Sequence, residues 1–247
     1  MTIAFDASFQ GESGGEPRFV EDPAVRVEDI RCAVDYLMTQ NFVDENRIDV
    51  LGVCAGGAYA VPAAMTDRRI KAVGGVVATN LGRLYREELS GQSALATLEA
   101  VAKQRTAEAR GAEPMITQWI PSSPADVQAL GITDIDVTEA VDYYTTERGK
   151  HPNSPNKLRF ISIANCMNFD AFHLAEKLLT QLLQLVIGDK VGNFGSYRDG
   201  YELLAKAASA EKNLHVVKNT SHYDLYDKPE AVNEALSKLV PFYQKHL

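Results

Sequence analysis

The stretch of residues 48–65 constrains the fold more than any other part of the chain. Residues 48–53 are an apolar run of strand length, and they lead directly into Gly-Val-Cys-Ala-Gly-Gly at 52–57. The pattern predicts a helix of small residues at 56–65. When a buried strand turns this tightly into a helix, the residue at the turn is lifted above the sheet. We therefore predict that Cys54 occupies a strand-to-helix turn.

Strand and helix patterns alternate along the rest of the chain, which favours an α/β fold with a mostly parallel sheet flanked by helices. A helix is predicted at 27–38, where apolar residues recur every three or four positions, and Pro229 is predicted to open the final helix. A length of 247 residues suits one domain over 1–247. The predicted strands are 3–5, 48–53, 73–78, 185–187 and 214–217.

About a hundred residues separate the predicted strand at 73–78 from the next one at 185–187. A structureless connection of that length is implausible. Helical patterns at 84–110, 138–144 and 169–183 instead predict a mostly helical cap, inserted into the domain at about residues 81–180.

Composition narrows the functional classes. The net charge is −8 and no long Lys/Arg cluster occurs, so we expect no nucleic-acid partner and no membrane partner. The three cysteines, Cys32, Cys54 and Cys166, are too few for a disulfide framework, which favours a cytoplasmic location. They are also too far apart for a zinc site, and no phosphate-binding loop occurs. We expect no metal, no cofactor and a small-molecule substrate.

Cys54 is the predicted nucleophile. The helix that begins beside it favours the thiolate, which is the reactive form of the side chain. The alternative interpretation is a buried structural cysteine in a glycine-rich turn. Ser13 also lies in a G-x-S-x-G pattern, but the residues around it do not predict a strand leading into a helix, so Cys54 is preferred to Ser13.

His222 is the predicted general base. It follows the last predicted strand in a loop, where an α/β sheet of this kind supplies its histidine after the nucleophile and the acid in chain order. Of the other histidines, His215 lies inside the last strand, His246 is at the C-terminus, and His151 and His173 fall in the predicted cap.

The acid of a catalytic triad is expected just after the strand that Gly188 closes. Asp189 is the carboxylate in that turn, so it is the predicted acid, while Asp199 and Asp224 are alternatives. Asp189 is equally consistent with a solvated turn residue or an ion pair with Lys190. A cysteine nucleophile tolerates a poor third member better than a serine does, because the thiolate forms more easily.

Four stretches resemble uncharacterised bacterial and fungal α/β-hydrolases related to dienelactone hydrolase. They are Phe-Asp-Ala-Ser-Phe-Gln-Gly-Glu-Ser-Gly-Gly-Glu-Pro at 5–17, the turn at 52–57, Asp-Arg-Arg-Ile-Lys-Ala-Val at 67–73, and Ser-His-Tyr-Asp-Leu-Tyr-Asp at 221–227. The resemblance covers nearly the whole chain. It implies an α/β-hydrolase fold and, by position, the catalytic roles of Cys54 and His222, because in dienelactone hydrolase a Cys–His–Asp triad opens a lactone.

The chain departs from that group at its beginning. Such proteins normally start with three further strands and a His-Pro-Gly-Gly-like loop that supplies part of the oxyanion hole, so the N-terminal strands are expected to be missing here. The backbone N–H of Ala55 remains as one oxyanion donor. Either the chain is a fragment or a truncated gene model, or it compensates by forming a homo-oligomer through an exposed edge near residues 3–5.

Two functions follow from these residues. The first is a hydrolase of small esters, lactones or thioesters that acts through an acyl-Cys54 intermediate. The second is a catalytically weak or inactive hydrolase-like protein that binds a ligand or a partner. The turn at Cys54 and the position of His222 favour the first, whereas the missing oxyanion loop and the poor position of the acid favour the second.

Overall fold

The computed structural model describes residues 1–87 and 93–246. Its strands are β1 (Ile48–Val53), β2 (Ile70–Val76), β3 (Ile116–Thr117), β4 (Leu158–Arg159), β5 (Leu182–Gly188) and β6 (Lys212–Val217). Its helices are α1 (Pro23–Met38), α2 (Ala55–Thr66), α3 (Leu81–Glu87), α4 (Ala94–Ala109), α5 (Pro124–Ala129), α6 (Ile135–Thr145), α7 (Ile163–Asn168), α8 (Ala175–Leu178), α9 (Ser196–Lys206), α10 (Asp224–Asp227) and α11 (Pro229–His246).

The chain divides into two compact units. The sheet unit comprises residues 27–80 and 170–247 and contains a parallel sheet in the order β1-β2-β5-β6. The helical unit comprises residues 1–26 and 81–169 and contains α3 to α7 with the short antiparallel pair β3 and β4. The fold is therefore α/β, with a mostly parallel sheet flanked by helices, as predicted. A cap function for residues 81–180 remains a prediction.

The two central strands, β2 and β5, are buried along almost their whole length. Val76, Val77, Val186 and Val217 pack with apolar residues of α10 and α11 into a core cluster. Burying such side chains contributes roughly 1.5–3 kcal/mol each relative to leaving them exposed. The carboxyl ends of four parallel strands therefore meet at one firmly packed edge, where ligands of open α/β sheets bind.

Two predicted elements are wrong. Residues 3–5 form no strand, and Ile3 and Phe5 are exposed, since three alternating residues without a partner strand gain nothing from the extended form. The predicted helix at 169–183 is limited to α8, and β5 begins at Leu182. A short apolar run is equally consistent with either element, and burial on both faces of the sheet made this one a strand.

Within the described ranges, no helix combines the length and the apolar character needed to cross a membrane.

Candidate active site

Cys54 lies between β1 and α2 in a strained conformation. Its backbone angles are φ 52° and ψ −124°, a region that residues with a side chain rarely adopt. The Cys54 N–H donates to the Val76 carbonyl at 3.0 Å, and the Cys54 carbonyl accepts from the N–H of Thr79 at 3.2 Å and of Gly57 at 3.0 Å. These bonds to β2 and α2 hold the turn in place, which is the geometry of a nucleophile elbow.

The turn requires two glycines. A Cβ atom on Gly52 would lie 2.5 Å from the carbonyl oxygen of Gly56, and one on Gly57 would lie 2.6 Å from the Cβ of Ala78. Gly56 is different, because a Cβ there would have nothing within 4 Å. The close packing of strand and helix therefore depends on Gly52 and Gly57 and not on Gly56.

We expect Gly52→Ala to destabilise the protein and Gly56→Ala to leave its stability nearly unchanged. Overpacking of a tight site costs about 1–3 kcal/mol, which lowers Tm by roughly 2–10 °C in a protein of this size. At Gly56 the added methyl is free of contacts and favours the helix by at most about 1 kcal/mol. Thermal unfolding of both variants measures the contrast, and equal Tm values for the two would contradict the close approach at Gly52.

His222 lies in the loop after β6, and its side chain is buried, with 2% of the residue exposed. Its Nδ1 is 3.1 Å from the hydroxyl oxygen of Ser196, which is the first residue of α9. Its Nε2 is also buried, and no atom of the described residues forms a hydrogen bond with it. Burial lowers the pKa of His222 to about 3, so the imidazole is neutral at physiological pH.

Three aromatic rings surround the imidazole. The ring centroids of Phe194, Tyr223 and Tyr226 lie 5.7, 5.0 and 5.6 Å from that of His222, and Phe194 meets it edge-on at 89°. These rings exclude water from the histidine, which accounts for the low pKa. None of the three was predicted from the sequence, although Tyr223 and Tyr226 follow His222 within four residues.

Asp189 contacts the loop that carries His222 rather than the histidine itself. Its Oδ1 accepts a hydrogen bond from the Thr220 N–H at 3.2 Å, and the N–H of Lys190 donates to the Thr220 carbonyl at 3.0 Å. Among the described residues, the hydrogen bond of the His222 ring is to Ser196. The structure therefore does not bring Asp189 into hydrogen-bond contact with His222, and its assignment as the triad acid remains a prediction.

The two alternative acids are bonded in other ways. Asp199 is fully buried, and one of its carboxylate oxygens accepts the Asn80 N–H at 2.7 Å. Asp224 accepts the Ser221 N–H at 3.0 Å and lies 3.5 Å from the Lys190 ammonium. Each carboxylate thus fixes a loop at the carboxyl edge of the sheet.

Ala55 is the first residue of α2, where a helix leaves backbone N–H groups without partners inside the helix. Its role as an oxyanion donor remains a prediction. Ser13 occupies a turn rather than a strand-to-helix junction, and its hydroxyl donates to the Asp6 carbonyl. No cluster of three or more His, Cys, Asp or Glu side chains in residues 1–87 and 93–246 has the arrangement of a metal site.

Comparison with known proteins identifies relatives over the whole chain. The uncharacterised protein YcjY of Escherichia coli is 39% identical over 100% of this chain and 79% of its own length. The thiohydrolase apmlB of Arthrinium phaeospermum is 30% identical over 58% of this chain and 47% of its own length. No family model matches the sequence.

Solved structures agree with the fold. The hypothetical protein PA2218 of Pseudomonas aeruginosa has a TM-score of 0.85 and 28% identity, covering 98% of this chain and 74% of that one. The α/β-hydrolase GrgF of a Penicillium species has a TM-score of 0.73 and 19% identity, covering 98% and 78%. The second likeness is one of fold alone, and the fold is that of the α/β-hydrolases.

Proposed function

This chain belongs to the protein family of Escherichia coli YcjY and has the α/β-hydrolase fold, and we propose that it is a hydrolase of small thioesters and related esters or lactones. Cys54 is the proposed nucleophile, His222 the base and Ala55 an oxyanion donor. The thiohydrolase name of the relative apmlB supports the thioester class. The more specific resemblance to dienelactone hydrolase is retained as part of this proposal.

The observation that carries the proposal is the strained backbone of Cys54, with φ 52° and ψ −124° at the turn between β1 and α2. A structural cysteine gains nothing from such a conformation, which costs of order 1–3 kcal/mol. A nucleophilic cysteine gains from it, because the turn exposes its side chain at the start of a helix, where the helix dipole favours negative charge on sulfur.

In the proposed reaction, the Cys54 sulfur attacks the acyl carbon while its proton passes to Nε2 of His222. The carbonyl oxygen becomes negatively charged and accepts a hydrogen bond from the Ala55 N–H. The bond from the acyl carbon to the leaving sulfur then breaks, and the departing thiolate takes the proton from His222. Water attacks acyl-Cys54, gives its proton to His222, and releases the carboxylic acid as the proton returns to Cys54.

The buried histidine favours leaving groups that need little protonation. An imidazolium is costly among Phe194, Tyr223 and Tyr226, because burial holds the pKa of His222 at about 3. A thiol such as that of cysteine has a pKa of about 8.5, so a thiolate departs readily, whereas an alkoxide is far more basic and departs poorly without a proton. The site therefore suits thioesters better than alkyl esters.

We expect S-ethyl thioacetate to be hydrolysed with a kcat/KM at least about 100-fold above that of ethyl acetate, which is the range that general acid catalysis contributes. The two substrates share the acyl group and nearly the same size, so binding is matched. Acid release in a pH-stat measures both rates on one scale. Each kcat/KM is divided by the rate constant for hydrolysis of the same substrate by hydroxide. Equal ratios for the two substrates would contradict the leaving-group argument.

The second candidate function is a weak or inactive hydrolase-like protein that binds a ligand. It is favoured by Asp189, whose carboxylate bonds Thr220 instead of supporting the charge of His222. Mass spectrometry after mixing with S-ethyl thioacetate separates the two functions. Acetylation of Cys54 followed by its loss supports the hydrolase, and ligand binding without acetylation supports the second candidate.

A further inference from the structure

We propose that Ser196 is the positioning residue of His222, and that an uncharged hydroxyl takes the place that a carboxylate holds in a Cys–His–Asp triad. This proposal rests on the proposed function, because it assigns His222 the role of base. It adds a residue that neither the sequence patterns nor the resemblance indicates.

The first support is the geometry of the contact. The Ser196 hydroxyl oxygen lies 3.1 Å from Nδ1 of His222, within hydrogen-bond distance. Both residues are buried, with 7% of Ser196 and 2% of His222 exposed. Water therefore has little access to compete for Nδ1, and a buried hydrogen bond of this kind favours one orientation and one tautomer of the imidazole.

The second support is the way Ser196 is held. It begins α9, and Gly195 before it has φ 74° and ψ 19°, a left-handed conformation suited to glycine. The N–H of Asp199 in the same helix donates to the Gly195 carbonyl at 2.9 Å, and its carboxylate accepts the Asn80 N–H at 2.7 Å. The start of α9 is thus tied to the loop after β2, and the hydroxyl has a fixed position.

The third support is that the nearby carboxylates bind backbone N–H groups rather than the imidazole. Asp189 accepts the Thr220 N–H, and Asp224 accepts the Ser221 N–H. Each of these bonds shapes the loop that carries His222 without reaching the ring. Within the part of the chain that the structure describes, Ser196 is accordingly the hydrogen-bond partner of the imidazole.

The unbonded Nε2 is compatible with a neutral imidazole that carries its proton on Nδ1. A hydroxyl both donates and accepts, so Ser196 can accept a hydrogen bond from Nδ1–H and leave a lone pair on Nε2. That lone pair is the group required to take the proton of Cys54. A hydroxyl adds no negative charge, however, so it orients the base without stabilising the imidazolium, in keeping with the lowered pKa of His222.

The test compares Ser196→Ala with Ser209→Ala. Ser209 is a matched control, because it is also buried and its hydroxyl donates one hydrogen bond, but that bond goes to the Leu179 carbonyl at 3.1 Å rather than to His222. Two readouts are used: kcat and KM for S-ethyl thioacetate, and the 15N chemical shifts of the His222 ring, assigned by the signals that disappear in His222→Gln.

We expect Ser196→Ala to lower kcat about 10-fold, near the loss of one neutral hydrogen bond at 1.4 kcal/mol, with KM changed less than 2-fold. The His222 shifts should move from a single Nδ1–H tautomer to a mixture. Ser196→Thr, which keeps a hydroxyl, should retain the parent tautomer, and Ser209→Ala should retain both kcat and tautomer.

Two results would overturn the proposal. One is an unchanged tautomer in Ser196→Ala, and the other is a larger shift of the His222 signals in Asp189→Asn than in Ser196→Ala. The nitrogen shifts do not depend on turnover. A parent protein that leaves S-ethyl thioacetate intact therefore refutes the proposed function, while the shifts still decide whether Ser196 orients His222.

Discussion

Replacing Cys54 with alanine is expected to lower the hydrolysis of S-ethyl thioacetate by at least about 1000-fold, because it removes the sulfur that is proposed to form the acyl intermediate. Cys54→Ser should also lose most activity, since a serine hydroxyl ionises far less readily and the neutral His222 is a weak base. Initial rates of thiol release at pH 7.5 measure both losses. Circular dichroism and thermal melts should match the parent, because the side chain is only half-buried.

The matched control for this substitution is Cys32→Ala. Cys32 is an exposed thiol on α1, and partial burial together with Glu28, Asp35 and Asp29 raises its pKa, so it is less often a thiolate at neutral pH. Its removal should leave the rate unchanged. Full activity in Cys54→Ala combined with loss in Ser13→Ala would instead assign the nucleophile to the turn near the N-terminus.

His222→Gln is expected to lower kcat by about 1000-fold and to change how stability depends on pH. The rate falls because proton transfer by a positioned side chain contributes about 100- to 10,000-fold. Glutamine cannot take the thiol proton but has a similar size. The control is His215→Gln. His215 lies inside β6 rather than in the loop after it, and its Nε2 is 2.8 Å from Oε1 of Glu234.

The pH dependence follows from the lowered pKa. An unfolded chain protonates His222 near pH 6.5, whereas the folded protein protonates it only near pH 3, since burial lowers the pKa to about 3. The unfolded state therefore binds more protons between these values, and the free energy of unfolding falls as the pH drops below 6.5. By pH 5 the loss is about 2 kcal/mol.

Urea unfolding of the parent and of His222→Gln at pH 7 and pH 5 measures this contribution as the difference between their pH dependences. The other titrating groups are common to both proteins and cancel. The same burial keeps His222 in its neutral, active form down to about pH 4, so its titration should not lower kcat/KM between pH 7 and that value. An acid limb centred near pH 6.5 that His222→Gln removes would contradict the burial of the imidazole.

Local rules of the sequence determined the elbow. The strand at Ile48–Val53 was predicted with its observed bounds, and the following turn and helix were recognised from glycines and small residues alone. This succeeded because the close approach at Gly52 is to Gly56 and Gly57, only a few residues along the chain. The carboxyl-edge placement of His222 followed similarly, since strand order and loop position are properties of the chain.

Contacts between distant segments decided the rest. Asp189 was predicted from chain order, but whether a side chain turns towards His222 depends on how two loops meet, and Gly188 and Lys190 bring Asp189 against Thr220 instead. The hydroxyl that meets Nδ1 comes from Ser196, 26 residues earlier in the chain. Phe194, Tyr223 and Tyr226 bury His222, and so lower the pKa of its imidazole, only once β5 and β6 lie side by side. The sequence therefore determined which residues reach the carboxyl edge of the sheet. The tertiary structure decided which partners those residues have and which charge His222 carries.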